Sequence, residues 1–159
     1  TVQSCKVKGY ERGVRVSGGS SGVSITDVET KKNTRYGVDN TSSSAVYTRV
    51  QAINNGDEGW HISGSGTVEI SDSLAYLNFK EGFYCLNCAN VTIRDSQATE
   101  NSQDTSGTHQ DVYLDTPAGN NIVDNVIVGT GGLRILGGAV ASVSACTSQV
   151  PNGCTIISE

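Results

Sequence analysis

Short apolar alternations recur along the whole chain. A first run reads Val14-Arg15-Val16, Val38-Asp39-Asn40, Trp60-His61-Ile62 and Phe83-Tyr84-Cys85, each preceded by a glycine. It continues more loosely as Val112-Tyr113-Leu114 and Leu133-Arg134-Ile135, with steps of 24, 22, 23, 29 and 21 residues between copies. A second run follows the first four: Val23-Ser24-Ile25, Ala45-Val46-Tyr47, Val68-Glu69-Ile70 and Val91-Thr92-Ile93, at steps of 22, 23 and 23. Period-two alternation predicts half-buried strands, with successive side chains on opposite faces. Two further columns keep step: Asn33, Asn55, Asn78, Asn101, and Ala52, Ala75, Ala98. The small alanines predict a tight inner corner. The asparagines predict a bend, their amides hydrogen-bonded along a stack and their backbone tolerant of the left-handed region.

A fixed period in this range means a solenoid or an array. Four-stranded propeller blades need more residues per repeat, and leucine-rich repeats need leucine columns that this chain lacks. The pattern therefore predicts an all-β parallel solenoid of about six coils, with a period of 22–24 residues, over residues 1–138. The first coil starts part-way through, which suggests a fragment of a longer chain or stacking on another subunit, for instance in a homotrimer. The period is lost in residues 139–159, which are expected to form a cap-like segment.

The successive repeats GWHISGSGTVEISDSLAYLN and GFYCLNCANVTIRDSQATEN resemble those of right-handed parallel β-helix proteins, a resemblance that covers about residues 9–145. Pectate-lyase-like enzymes, alginate-epimerase-like enzymes and phage tailspikes share that fold, so the resemblance implies the fold and leaves the activity open. The tyrosine-glycine run leading into Asp-Pro-His of the epimerase type is absent, as is an acidic calcium cluster. No catalytic residue transfers from the family.

Composition narrows the function classes. The chain of 159 residues carries 19 glycines and a net charge of −5, with no basic cluster, so nucleic acid is not an expected partner. No apolar run is long enough for a transmembrane helix. Five cysteines point to an oxidising compartment, extracellular or at a virion or cell surface. Cys146 and Cys154 are expected to pair and staple the C-terminal segment. The Cys85-x-x-Cys88 spacing is read as a buried thiol plus a turn thiol, or as a local bridge, because zinc needs four ligands and the pattern supplies two. Asn90-Val91-Thr92 is a glycosylation triplet, whereas Asn40 of Asn40-Thr41-Ser42 points inward.

The outward positions of the first strand, Arg15, Asp39, His61, Tyr84, Tyr113 and Arg134, should form one row. Tyr36, Glu58, Lys80, Glu81 and His109 stand just before that strand. A row of charged and aromatic groups suits a polysaccharide. Arg15, Tyr36, Lys80, His109, Tyr113 and Arg134 are the candidate substrate-binding residues. His61, Tyr84, Asp39, Glu58 and Glu81 are the candidate catalytic ones, for lyase or epimerase chemistry first and glycoside hydrolysis second. A divalent cation such as calcium is left open, with no motif for it. The alternative is a non-catalytic tailspike, adhesin or stalk segment. Residues 102–109 add six to the spacing between the Asn column and the next strand, and insertions in solenoids map to the working face.

Overall fold

The computed structural model describes residues 1–41, 43–64, 66–104, 109–115, 120–136, 140–144 and 147–148. In chain order the strands are β1 (Val2–Lys8), β2 (Val14–Val16), β3 (Val23–Lys31), β4 (Val38–Thr41), β5 (Ala45–Thr48), β6 (Gln51–Ile53), β7 (Trp60–Ser63) and β8 (Thr67–Ser71). They continue as β9 (Leu74–Tyr76), β10 (Phe83–Leu86), β11 (Asn90–Thr99), β12 (Val112–Asp115), β13 (Asn121–Val128), β14 (Leu133–Leu136), β15 (Val140–Ser144) and β16 (Thr147–Ser148). Among the described residues no helix is long and apolar enough to cross a membrane.

One sheet stacks β2, β4, β7, β10, β12 and β14 in chain order. Six strands bound five full turns, one fewer than the six coils read from the repeats. All its pairings are parallel and in the expected register: Val14, Val38, Trp60, Phe83, Val112 and Leu133 lie side by side. The remaining strands form a second, ten-stranded parallel sheet. In it Ile25, Tyr47, Ile70, Ile93 and Val123 align, and so do Ala52, Ala75 and Ala98. The inward columns of both sheets fill one core, with Trp60 at its centre, edge-on to Tyr47 at 5.0 Å and tilted against Phe83 at 5.4 Å. Each such side chain contributes about 1.5–3 kcal/mol through burial. The polar exception, Asn40, is buried and donates from Nδ2 to the Tyr47 hydroxyl at 3.1 Å, while its Oδ1 has no hydrogen-bond partner.

The asparagine column is a continuous buried ladder. Asn33, Asn55 and Asn78 each donate both the backbone N–H and one Nδ2 hydrogen to Oδ1 of the next coil's asparagine, at 2.9–3.1 Å. The second Nδ2 hydrogen reaches a backbone carbonyl, Ala52 O from Asn78 and Ala75 O from Asn101. One expectation is corrected. The left-handed residues are not the ladder asparagines but those just before them: Lys32, Asn54, Leu77 and Glu100. The ladder's hydrogen bonds fix the asparagine backbone, and the turn is taken one residue earlier. A second left-handed corner recurs at Asp27, Arg49, Asp72, Asp95 and Asn125.

The glycine before each first-sheet strand follows from the ladder. A Cβ at Gly59 would lie 2.6 Å from Asn78 Nδ2 and 2.7 Å from Gly82 O. The pattern inverts once. At the expected next glycine stands Asp111, whose Oδ1 accepts from Asn101 Nδ2 at 2.9 Å, and whose Oδ2 accepts from the Gly131 N–H at 3.0 Å. Gly131 occupies the coil position where the next asparagine would stand. A Gly–Asn pair has become an Asp–Gly pair, and the ladder gains one more rung. Burial pushes the Asp111 carboxyl up from its ordinary value, against the hydrogen bonds from Asn101 and the glycine amides that favour the ion.

Cys85 and Cys88 are joined by a disulfide and both are buried, so of the two readings of that spacing the local bridge is the one present. Cys5 is the free cysteine among the described residues. The expected Cys146–Cys154 pair lies outside the described residues, as does most of the cap-like segment. Asn90 is exposed and Asn40 buried, as the alternation requires.

Candidate functional site

The outward row forms as read. Arg15, Asp39, His61, Tyr84, Tyr113 and Arg134 occupy successive positions across β2, β4, β7, β10, β12 and β14. Strands one coil apart sit about 4.8 Å from each other, so planar groups at equivalent positions lie face to face. Tyr36 and His61 stack at 4.5 Å with 17° between planes, and Tyr84 and Tyr113 at 5.5 Å with 7°. His61 and Tyr84 link the two pairs at 5.5 Å. Guanidinium groups close the stack at both ends: Arg35 lies 4.5 Å from the Tyr36 ring and Arg134 5.8 Å from Tyr113. The ring faces are turned to one another, and edges and hydroxyls are left at the rim.

Two positions before each glycine, charges alternate along the stack. Arg35 pairs with Glu11 at 3.3 Å and Lys80 with Asp57 at 2.6 Å. One position before the glycine, carboxylates dominate the middle coils. Glu58 and Glu81 stand on consecutive coils, their backbones linked by Gly59 N–H donating to Glu81 O, and each is 7% exposed. Burial raises the Glu58 carboxyl from 4.5 to about 7; the charges of Asp57 and Glu81 add to the rise, and Lys80 opposes it. Glu58 Oε2 has no hydrogen-bond partner. Glu58 Oε1 lies 4.0 Å from His61 Nδ1, which is also buried without a partner. Burial, partly offset by Asp39 and Asp57, lowers the His61 value and favours the neutral imidazole. Burial, and then the Glu81 charge, raises the Tyr84 phenol and keeps it protonated.

Asp39 is held differently. It is almost fully buried, with Arg12 Nε at 2.9 Å and Arg15 Nε at 3.5 Å on its Oδ2, and is therefore neutralised by two guanidinium groups. His109 reaches Glu81 from the insertion: Nδ1 lies 2.7 Å from Glu81 Oε1 and Nε2 3.0 Å from Asp104 Oδ2.

The structure thus gathers His61, Tyr84, Glu58, Glu81, Lys80, Tyr36 and His109 in the middle coils. Asp39 and Arg15 sit on one side of this group, Tyr113 and Arg134 on the other. Two further residues belong to the region and were not among the candidate site residues. Arg12 holds Asp39, and Asp104 holds His109. Outside this group, Phe79 is 46% exposed and lines a groove of about 430 Å³ along the asparagine corner with Lys32, Leu77 and Gln103. Its signal was a lone ring in the column Thr34, Gly56, Phe79, Ser102. Among the described residues no group of three or more His, Cys, Asp or Glu is arranged to hold a metal ion.

The geometry offers a buried carboxyl raised to about 7, a second carboxyl on the next coil, an imidazole that burial biases toward the neutral form, and a rim of hydroxyls and cations. The family model described as right handed beta helix region matches residues 1–153. Comparison with curated proteins and with solved structures found no match.

Proposed function

The chain belongs to the right-handed β-helix family, and from that premise we propose that it is an extracellular module that binds and hydrolyses a polysaccharide. Glu58 donates a proton to the glycosidic oxygen, and Glu81 is the carboxylate partner. The observation that carries this reading is Glu58: a buried carboxyl, raised to about 7, with an oxygen that no protein group satisfies. Two buried carboxyls of the scaffold, by contrast, have partners: Asp39 is paired with Arg12 and Arg15, and Asp111 accepts from Asn101 and Gly131. A carboxyl whose value is raised to about 7, with a second acid on the next coil, has the composition that glycoside hydrolysis uses.

The rings of the row do not serve as sugar platforms in this reading, because their faces cover each other. Their hydroxyls, with Lys80, Arg15 and Arg134, bind sugar hydroxyls at the rim. The Cys85–Cys88 bridge supports an oxidising compartment.

A second reading is favoured by His61. Burial keeps it neutral with Nδ1 unpartnered, the state a base needs to remove a proton beside a uronate carboxylate in lyase or epimerase chemistry. The test is a depolymerisation screen over neutral and acidic glycans, reading both new reducing ends and the ultraviolet absorbance of an unsaturated product. Hydrolysis gives reducing ends without that absorbance, and Glu58→Gln lowers the rate about 10²–10⁴-fold. Absorbance that disappears in His61→Ala establishes the lyase reading instead. No turnover by the wild-type chain, together with a trimeric mass by light scattering, returns the module to a stalk or adhesin role.

A further inference from the structure

His109 enters the site through the insertion. Its backbone N–H donates to Ser102 Oγ at 3.2 Å, and Ser102 N–H donates to Lys80 O at 2.8 Å. The two ends of the insertion are thus tied to each other and to the coil below. The imidazole then lies between two carboxyl groups, Glu81 at 2.7 Å and Asp104 at 3.0 Å. A neutral imidazole has one N–H to give, whereas two carboxylates require two. The arrangement selects the imidazolium.

We infer that His109 is the positioning residue of the acid pair: bridging Asp104 and Glu81, it holds Glu81 as the ion-paired carboxylate and leaves Glu58 as the group that carries the exchangeable proton. The inference rests on the reading of Glu58 and Glu81 as a working pair. Two adjacent carboxyls of similar burial share their protons unless the surroundings separate them. Here the surroundings differ in kind. Glu81 Oε1 has a cationic partner, while Glu58 Oε2 has none. The charged or titratable groups facing Glu58 are Asp57, Lys80, Glu81, His61, Tyr36 and Tyr84; those facing His109 are Glu81 and Asp104. Burial opposes the charge on His109, but the hydrogen bond and charge of Glu81, then the charge of Asp104, outweigh it and raise its value.

The test is a nuclear magnetic resonance titration of the whole chain, following the His109 ring nitrogens and the Glu58 carboxyl carbon, without any glycan. In the wild-type chain His109 titrates above its ordinary 6.5. Glu81→Gln lowers the His109 midpoint by about one pH unit, and Asp104→Asn by less. His109→Gln raises the Glu58 midpoint, because the negative charge of Glu81 is no longer screened. A His109 midpoint unmoved by Glu81→Gln, or a Glu58 midpoint unmoved by His109→Gln, overturns the inference. Should His109→Gln fail to fold, Glu81→Gln and Asp104→Asn decide it alone. Coupled titrations with no turnover on any glycan leave the positioning in place and remove the hydrolase reading; turnover with uncoupled titrations does the reverse.

Discussion

Two stacks of polar side chains run side by side along this solenoid, a few residues apart in every coil. In the corner, Asn33, Asn55, Asn78, Asn101 and Asp111 spend their buried amide and carboxylate groups on each other and on neighbouring backbone. In the row beside it, Glu58 is buried and His61 half-buried, and Glu58 Oε2 and His61 Nδ1 are left without partners. Repetition by itself makes ladders. A buried group left unsatisfied costs stability; Asn40 Oδ1, Trp60 Nε1 and Asn121 Nδ2 carry that cost within the scaffold, whereas Glu58 Oε2 and His61 Nδ1 carry it in a row of titratable groups.

The largest effect that tests this contrast is in the corner. Asn78→Ala removes the acceptor of the Asn55 N–H and Nδ2 and the donor to Ala52 O and Asn101 Oδ1. It should destabilise by about 3–5 kcal/mol, the sum of two or three unsatisfied buried groups, seen as a lower denaturant midpoint at constant slope.

Glu58→Gln should do the opposite at neutral pH. The folded value of Glu58 lies above its ordinary 4.5, so the fold favours the neutral carboxyl. Stability from this group is complete below pH 4.5 and is lost as pH rises through about 7. The loss is on the order of 3 kcal/mol. Across that window the wild-type chain should lose stability relative to Glu58→Gln, measured as denaturant midpoints over a series of pH values. Parallel pH profiles would remove Glu58 from the site.

Gly59→Ala should cost about 1–3 kcal/mol by crowding Asn78 Nδ2 and Gly82 O, measured by thermal midpoint. The smallest effect belongs to the row: a double-mutant cycle on Tyr84 and Tyr113, each to Leu, should give a coupling of about 1 kcal/mol.

The parallel columns were legible in the sequence because burial on one face enforces strict alternation, and parallel stacking converts a constant period into a constant register. The asparagine ladder was legible for the same reason. The corner conformations were not: the left-handed position is occupied by Lys32, Asn54, Leu77 and Glu100, types with no shared preference, because the ladder dictates the bend. The exchange that places Asp111 opposite Gly131 was also hidden, since it preserves the hydrogen bond and discards the residue pattern. In the site, Glu58 and Glu81 could be placed on one face, but nothing in their spacing distinguished them from Asp39, whose neutralisation by Arg12 depends on side-chain reach across coils. The contact of Asp104 with His109 joins two residues of the stretch that departs from the repeat, which periodicity does not describe.

Trp60 is the single tryptophan of the chain and sits fully enclosed in the third of the six stacked first-sheet strands. The molecule therefore carries one fluorophore at a known height along its axis. A stack whose units contact only their neighbours can melt inward from its ends. During such fraying the emission of Trp60 stays blue-shifted and constant while the ellipticity already falls, and the interval between the two signals measures how strongly one coil depends on the next.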